Sequence, residues 1–260
     1  MADQNKNLTF EEAEALEAQS SPDNMVFLTG DKHGDMGEVK KFCKRMELPP
    51  DSTVIILGDA GVNFFRDLRD KQRKDCLARL APTIFCVHGN HEARPTEALG
   101  YHEAYYHGGK VMVQDAYPNI LFPLDGEIFH FCGQSVLVIG GAYSVDKKLR
   151  LANGWPWFPD EQPSQEIKDK VEEALKREGW EVDVVLSHTC PWRYVPTEAF
   201  MSGVDQNAVD TSTEDWLDMI ERRLKYKHWY CGHYHIEKKI DKLRFMFHDF
   251  DMFPCPEPHG

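Results

Sequence analysis

The chain has 260 residues, 42% hydrophobic and 28% charged, with 43 Asp and Glu against 30 Lys and Arg and a formal charge of −13. That composition excludes disordered, collagen-like and disulfide-scaffold classes and leaves enough apolar residues for a real core. The negative balance disfavours duplex nucleic acid as a partner, although bound divalent cations can reverse the sign locally.

Residues 1–24 read as a short N-terminal appendage, with Thr9 and Glu12 at capping-box spacing before an Ala/Glu-rich stretch. Residues 25–260 read as a single domain. From Met25 onward, short apolar runs end abruptly in Gly, Asp, Asn or His: MVFLTGD, TVIILGD, TIFCVHGN, VDVVLSH and HWYCGH. Runs of this length, apolar throughout, predict strands buried on both faces. Helices are predicted between them, from Val39, Phe42, Cys43 and Met46, from Ile167, Val171, Ala174 and Leu175, and from Trp216, Leu217, Ile220 and Leu224. The middle section reads differently. VMVQ, NILFPL, GEIFHFCG and SVLVIGG follow one another without helices and predict an antiparallel portion. The expected fold class is therefore α/β, layered, with mixed sheets. Seven cysteines, an odd number without any CxxC, predict free thiols. With no apolar leader and no run of about 18 apolar residues, a cytoplasmic protein without a membrane partner is expected.

The chemistry gathers at the strand ends. Asp31 and His33 follow the first run, Asp59 the second, Asn90 and His91 the third, His188 the fourth, and His233 and His235 the last. Loops beyond the carboxyl ends of α/β strands converge on one crevice, so these side chains can meet. Any one of them alone is more often a helix cap or a loop hydrogen bond. With His91 left aside, two Asp, one Asn and four His form an O/N donor list without thiolate, suited to two divalent metal ions such as Mn, Fe or Zn.

The ordered series DxH, GD, GNHE, H and GHxH, from Asp31 to His235, resembles the calcineurin-like metallophosphoesterase superfamily. The resemblance implies a sandwich of two mixed β-sheets flanked by helices. It also implies that Asp31, His33 and His235 hold one ion, that Asn90, His188 and His233 hold the other, and that Asp59 bridges them. The function implied is a metal-dependent phosphoesterase in which a metal-bridging hydroxide attacks the ester directly. His91 stands beside the ions as the expected acid for the leaving group, because an imidazole can deliver a proton near neutrality.

The chain departs from the phosphoprotein-phosphatase branch, since GDAGVN has Val62 and Asn63 where that branch carries an Asp that orients the acid His and an Arg that clamps phosphate. The group that orients His91 is thus unnamed at this level. Arg66, Arg94, Arg150 and Arg193 become candidates for the phosphate, through bidentate guanidinium geometry, against the blander reading of solvated surface arginines. The segment 143–163, with Tyr143, Trp155, Trp157 and Phe158 beside Lys147, Lys148 and Arg150, reads equally as a cap that binds substrate or as packing. Trp192 and Arg193 would reach the same rim and carry the same two readings. His88, His130, His228 and His248 read as core or edge residues, His102, His107 and His259 as surface, and Cys190 as a free thiol.

Phosphomonoesters are the expected substrates, whether a phosphorylated small molecule, a nucleotide or a phosphoprotein. The alternatives are a phosphodiesterase acting on nucleotides or cyclic nucleotides, and a non-catalytic metal-binding scaffold of the same fold. An amidohydrolase-like site is a lesser alternative, because there HxH opens the series, whereas here it closes it.

Overall fold

The structure, a computed structural model, describes residues 25–256. Thr9, Glu12 and His259 lie outside them. Two mixed sheets form the centre. The first contains β1 (Val26–Thr29), β2 (Thr53–Ile56), β3 (Thr83–Cys86), β4 (His102–Tyr106), β5 (Gly109–Gln114) and β6 (Tyr117–Pro123). The second contains β7 (Ile128–Phe131), β8 (Gln134–Ile139), β9 (Val184–Ser187), β10 (His228–Cys231), β11 (Lys238–Ile240) and β12 (Leu243–Phe245). A last strand, β13 (Phe250–Met252), returns to the first sheet and pairs antiparallel with β1. The strand orders are β13-β1-β2-β3-β6-β5-β4 and β11-β12-β10-β9-β8-β7.

In each sheet the parallel strands lie at the centre and the antiparallel ones at the margins. β1, β2, β3 and β6 run parallel, as do β8, β9, β10 and β12. The uninterrupted apolar runs follow from burial on both faces: Val26 and Leu28 enter the core between the sheets, while Phe27 points to the helices outside. The inter-sheet core joins Phe85, Leu121 and Val111 of one sheet to Phe129, Val136 and Leu186 of the other. A second core lies under α1 (Met36–Arg45) and α2 (Leu68–Leu77), and a third under α4 (Gln165–Arg177) and α5 (Ser212–Glu221). Between β8 and α4 runs the short α3 (Lys147–Ala152).

The predicted helices are present, with side-chain caps at Asp35 for α1 and Ser164 for α4. Met46 falls just past α1 and is 40% exposed, so the buried stripe starts at Met36 instead. The strands β4, β11 and β13 lacked a sequence signal because their residues are half-exposed at sheet margins, without an apolar run. One expectation is corrected. Cys132 and Cys255 form a disulfide with Cα atoms 5.2 Å apart, while Cys43, Cys76, Cys86, Cys190 and Cys231 are free. An odd count rules out complete pairing, but not one link that fastens the chain's last described residues to the β7–β8 turn. Among the described residues no helix is long and apolar enough to cross a membrane.

Candidate metal centre

Parallel strands place their carboxyl ends on one edge of each sheet, and the two edges meet. Asp31, His33, Asp59, Asn90 and His91 hang from the loops after β1, β2 and β3, whereas His188, His233 and His235 follow β9 and β10. Backbone hydrogen bonds lock these loops together: the Asp59 carbonyl accepts from the N–H groups of Lys32 and His33, at 3.1 and 2.7 Å. Carboxylates bind across the loops as well. Asp59 Oδ1 accepts from the His91 N–H at 2.7 Å, and Asp31 Oδ1 from the His233 N–H at 2.9 Å.

His33, Asp59, His233 and His235 all have positive φ, between 46° and 68°, a region that non-glycine residues seldom occupy. Strain gathered in one cluster signals that the surrounding structure holds these side chains in position for use. Glycine is required beside them for space. A Cβ on Gly89 would collide with the Asp59 carboxylate, and one on Gly58 (φ 99°) with the His188 ring.

The donor atoms converge in three overlapping groups that could hold metal: Asp31, His33 and His235; Asp31, Asp59 and His188; and His33, Asp59 and His91. His33 Nε2 and His235 Nε2 lie 2.8 Å apart, and His235 Nε2 is 3.2 Å from Asp31 Oδ2. Asp59 Oδ2 lies 3.9 Å from His33 Nδ1 and 3.8 Å from His188 Nε2, between the two halves of the cluster.

The chemistry of these donors fits cations. The His188 Nδ1–H donates to the Leu57 carbonyl at 2.9 Å, which in the neutral ring leaves a lone pair on Nε2. That lone pair faces Asn90 Oδ1 at 2.8 Å. The amide is held from behind: Asn90 Nδ2 donates to Ser144 Oγ at 2.9 Å, and Arg150 Nη1 donates to the same oxygen at 3.1 Å. These two atoms need a proton on the ring or a shared cation between them, and a divalent ion turns the same geometry into ligation.

Electrostatics agree. Burial opposes ionisation of Asp31, but His188, His235 and His33 outweigh it and hold the carboxyl well below its ordinary range. For Asp59, too, burial is overcome by His188 and His91. Burial, reinforced by His188, pushes His233 down to about 3, so its ring is neutral and able to ligate. His235 is raised by its hydrogen bond to Asp31. Burial also pushes Glu92 up to about 8, helped by nearby Asp59, so this neighbour adds little negative charge at neutral pH.

His91 stands at the edge of the group. Its ring stacks 6.1 Å from Phe64, and Nε2 lies 3.8 Å from Asp146 Oδ1. Burial lowers its pKa, and Asp59 and Asp146 pull against that. Asp146 is thus the acid beside His91 that the sequence left unnamed.

The arginines sit elsewhere than expected. Arg94 is paired at 2.5 Å with buried Asp125 and donates to the Asp160 carbonyl. Arg193 is held by Asp218 and Glu221. Arg66 borders a separate, smaller hollow. Arg150, 1% exposed, lies behind the cluster, holding Ser144 and the Pro156 carbonyl. None of the four lines the cavity that opens onto the cluster, whereas Tyr143 does. Arg94→Ala is expected to destabilise the fold by about 3 kcal/mol, because it strands the Asp125 carboxylate, while leaving KM for phosphate esters unchanged. A thermal melt together with steady-state kinetics checks this, and a raised KM with an unchanged melt would restore Arg94 to the substrate.

That cavity has a volume of about 580 Å³ and is shared by His33, Asp59, Asn90, His91, His233 and His235. Of the expected cap at 143–163, only Tyr143, Val145 and Asp146 reach it, and the facing wall is the stretch 192–211. Trp157 is covered by Lys147, Phe158 is buried, and Trp155 is 54% exposed and lines no part of the cavity. The 192–211 wall lacked a sequence signal beyond Trp192, because its apolar residues follow neither helical nor strand periodicity. It is built of single 3-10 turns at Trp192–Tyr194, Thr197–Ala199 and Gln206–Ala208.

A two-sheet sandwich with a His/Asp/Asn cluster across its strand ends defines a class of candidate metal-dependent hydrolases. Residues 25–237 match the family described as calcineurin-like phosphoesterase, and the chain belongs to that family. No curated protein matches. Among solved structures, TT1561 of Thermus thermophilus is 12% identical, with 89% of this chain and 98% of that chain covered and a TM-score of 0.47. The phosphopantetheinyl hydrolase of Mycobacterium tuberculosis is 17% identical, with 86% and 89% covered and a TM-score of 0.40.

Proposed function

We propose that this chain hydrolyses phosphate esters, phosphomonoesters foremost, with two divalent ions held between its sheets. The reading is carried by the convergence of Asp31, His33, Asp59, His188 and His235 on shared sites that could hold metal, with Asn90 Oδ1 2.8 Å from His188 Nε2. Asp31, His33 and His235 would hold one ion; Asn90, His188 and His233 would hold the other; Asp59 would serve both. When bound, such ions supply an activated water and neutralise charge on the phosphoryl oxygens.

The chain's own groups do the rest. His91 holds a proton on its ring and gives it to the departing alkoxide, and Asp146 stabilises the charged ring before transfer. Ser144, held by Arg150, keeps the Asn90 amide turned so that its oxygen faces the histidines. The Leu57 carbonyl keeps His188 in the tautomer that ligates. Phosphorylated small molecules, nucleotides and phosphoproteins all belong to the proposed range, and Mn, Fe and Zn all suit the donors. A phosphodiesterase is the second reading, because no Lys or Arg lines the cavity and a diester brings one negative charge fewer.

Chelation followed by dialysis is expected to cut hydrolysis of a chromogenic phosphomonoester at least ~100-fold, with Mn²⁺ restoring it. Metal analysis on the same samples separates the alternatives. Two bound ions without turnover of any ester would favour the scaffold.

A further inference from the structure

The wall facing the metal cluster is made of apolar side chains that the fold does not otherwise use. Trp192, Phe200, Met201, Val204 and Val145 line the cavity yet belong to none of the three cores. Met201 is 64% exposed and Trp192 47%, although folding alone favours covering such residues. No cationic side chain accompanies them. The carboxyls that line the cavity are Asp59, Asp146 and Glu214, and Glu214 is the one set apart from both the ion cluster and His91. Glu214 is 5% exposed and accepts from Thr189 Oγ1 at 2.7 Å. A volume of about 580 Å³ is in the range of pockets that enclose a small organic ligand.

We infer that this cavity receives the organic part of the substrate, that this part is apolar and bears no anionic group, and that Glu214 contacts a polar atom on it. The inference rests on the phosphoesterase reading and narrows it. Continuity with the cluster carries the placement: Asp59, Asn90, His91 and His233 line the same cavity as Val145 and Phe200, so an ester with its phosphoryl group at the cluster places its organic part in the remainder of that cavity. Charge carries the selectivity. No lysine or arginine lines the cavity to offset the desolvation of a second phosphate or a carboxylate, and Val145, Trp192, Phe200, Met201 and Val204 favour an alkyl group over a sugar.

Three esters with alkoxide leaving groups test this with metal-loaded protein: hexyl phosphate, glycerol 1-phosphate and 3-phosphoglycerate. The expected kcat/KM for hexyl phosphate exceeds that for 3-phosphoglycerate by roughly 100-fold, with glycerol 1-phosphate between them. Phe200→Ala, outside every core, should keep the melting temperature and bring the ratio down about tenfold. Glu214→Gln should lower the rate for 6-aminohexyl phosphate relative to that for hexyl phosphate by about tenfold. Binding of hexylphosphonate and methylphosphonate, followed by calorimetry, reads the same preference without turnover, and Phe200→Ala should erase the difference. Equal or better use of 3-phosphoglycerate, or a hexyl preference untouched by Phe200→Ala, overturns this inference and leaves the phosphoesterase reading standing. Hydrolysis of none of the three esters or of a nitrophenyl ester overturns both.

Discussion

Asp59→Asn is expected to lower bound metal and turnover together, with kcat/KM falling about a thousandfold, equivalent to ~4 kcal/mol of transition-state stabilisation. The size follows from position. Asp59 Oδ2 is the oxygen lying between His33 and His188, at 3.9 and 3.8 Å, so its charge serves both halves of the cluster. The substitution is nearly isosteric and can keep the bond from Oδ1 to the His91 N–H, which separates loss of charge from loss of shape. Metal content per chain and kcat/KM, measured on one preparation, are the checks. Full metal content with full activity would remove Asp59 from the centre.

His91→Ala is expected to leave metal content unchanged and to slow alkyl esters by about 10²- to 10⁴-fold, the usual worth of a positioned acid. Nitrophenyl esters should lose much less, because their leaving group departs without a proton. The contrast between the two esters is the test. His91 belongs to one of the donor groups that could hold metal, with His33 and Asp59, so metal analysis must accompany the kinetics. Equal losses on both esters with reduced metal would make His91 a ligand instead of an acid.

The candidate metal cluster was legible because each central strand reads as an unbroken apolar run that stops at a polar residue. Burial on both faces imposes the run, and the strand end imposes the stop. Asp146 was not legible. It lies 55 positions after His91, and only the fold of the 143–163 segment carries it to 3.8 Å from that ring. The positions of the arginines were illegible for a related reason, since a guanidinium fits an internal carboxylate as well as a phosphate. Arg94 is taken up by Asp125 and Arg193 by Asp218, partners distant in sequence. Phe200 and Val204 escaped notice because a wall of single turns has no period to detect. The Cys132–Cys255 link joins positions 123 apart, and no local spacing announces it.

Asp31, Asp59 and Asn90 are anchored to one sheet, and His188, His233 and His235 to the other. The candidate centre therefore straddles a seam, and ions held there would act as rivets between two plates. Lateral slip of one plate by less than a bond length would spoil every rivet at once while each plate's own hydrogen-bond ladder stayed intact. Activity in such a molecule registers the alignment of its halves, and heating should silence it before either half comes apart.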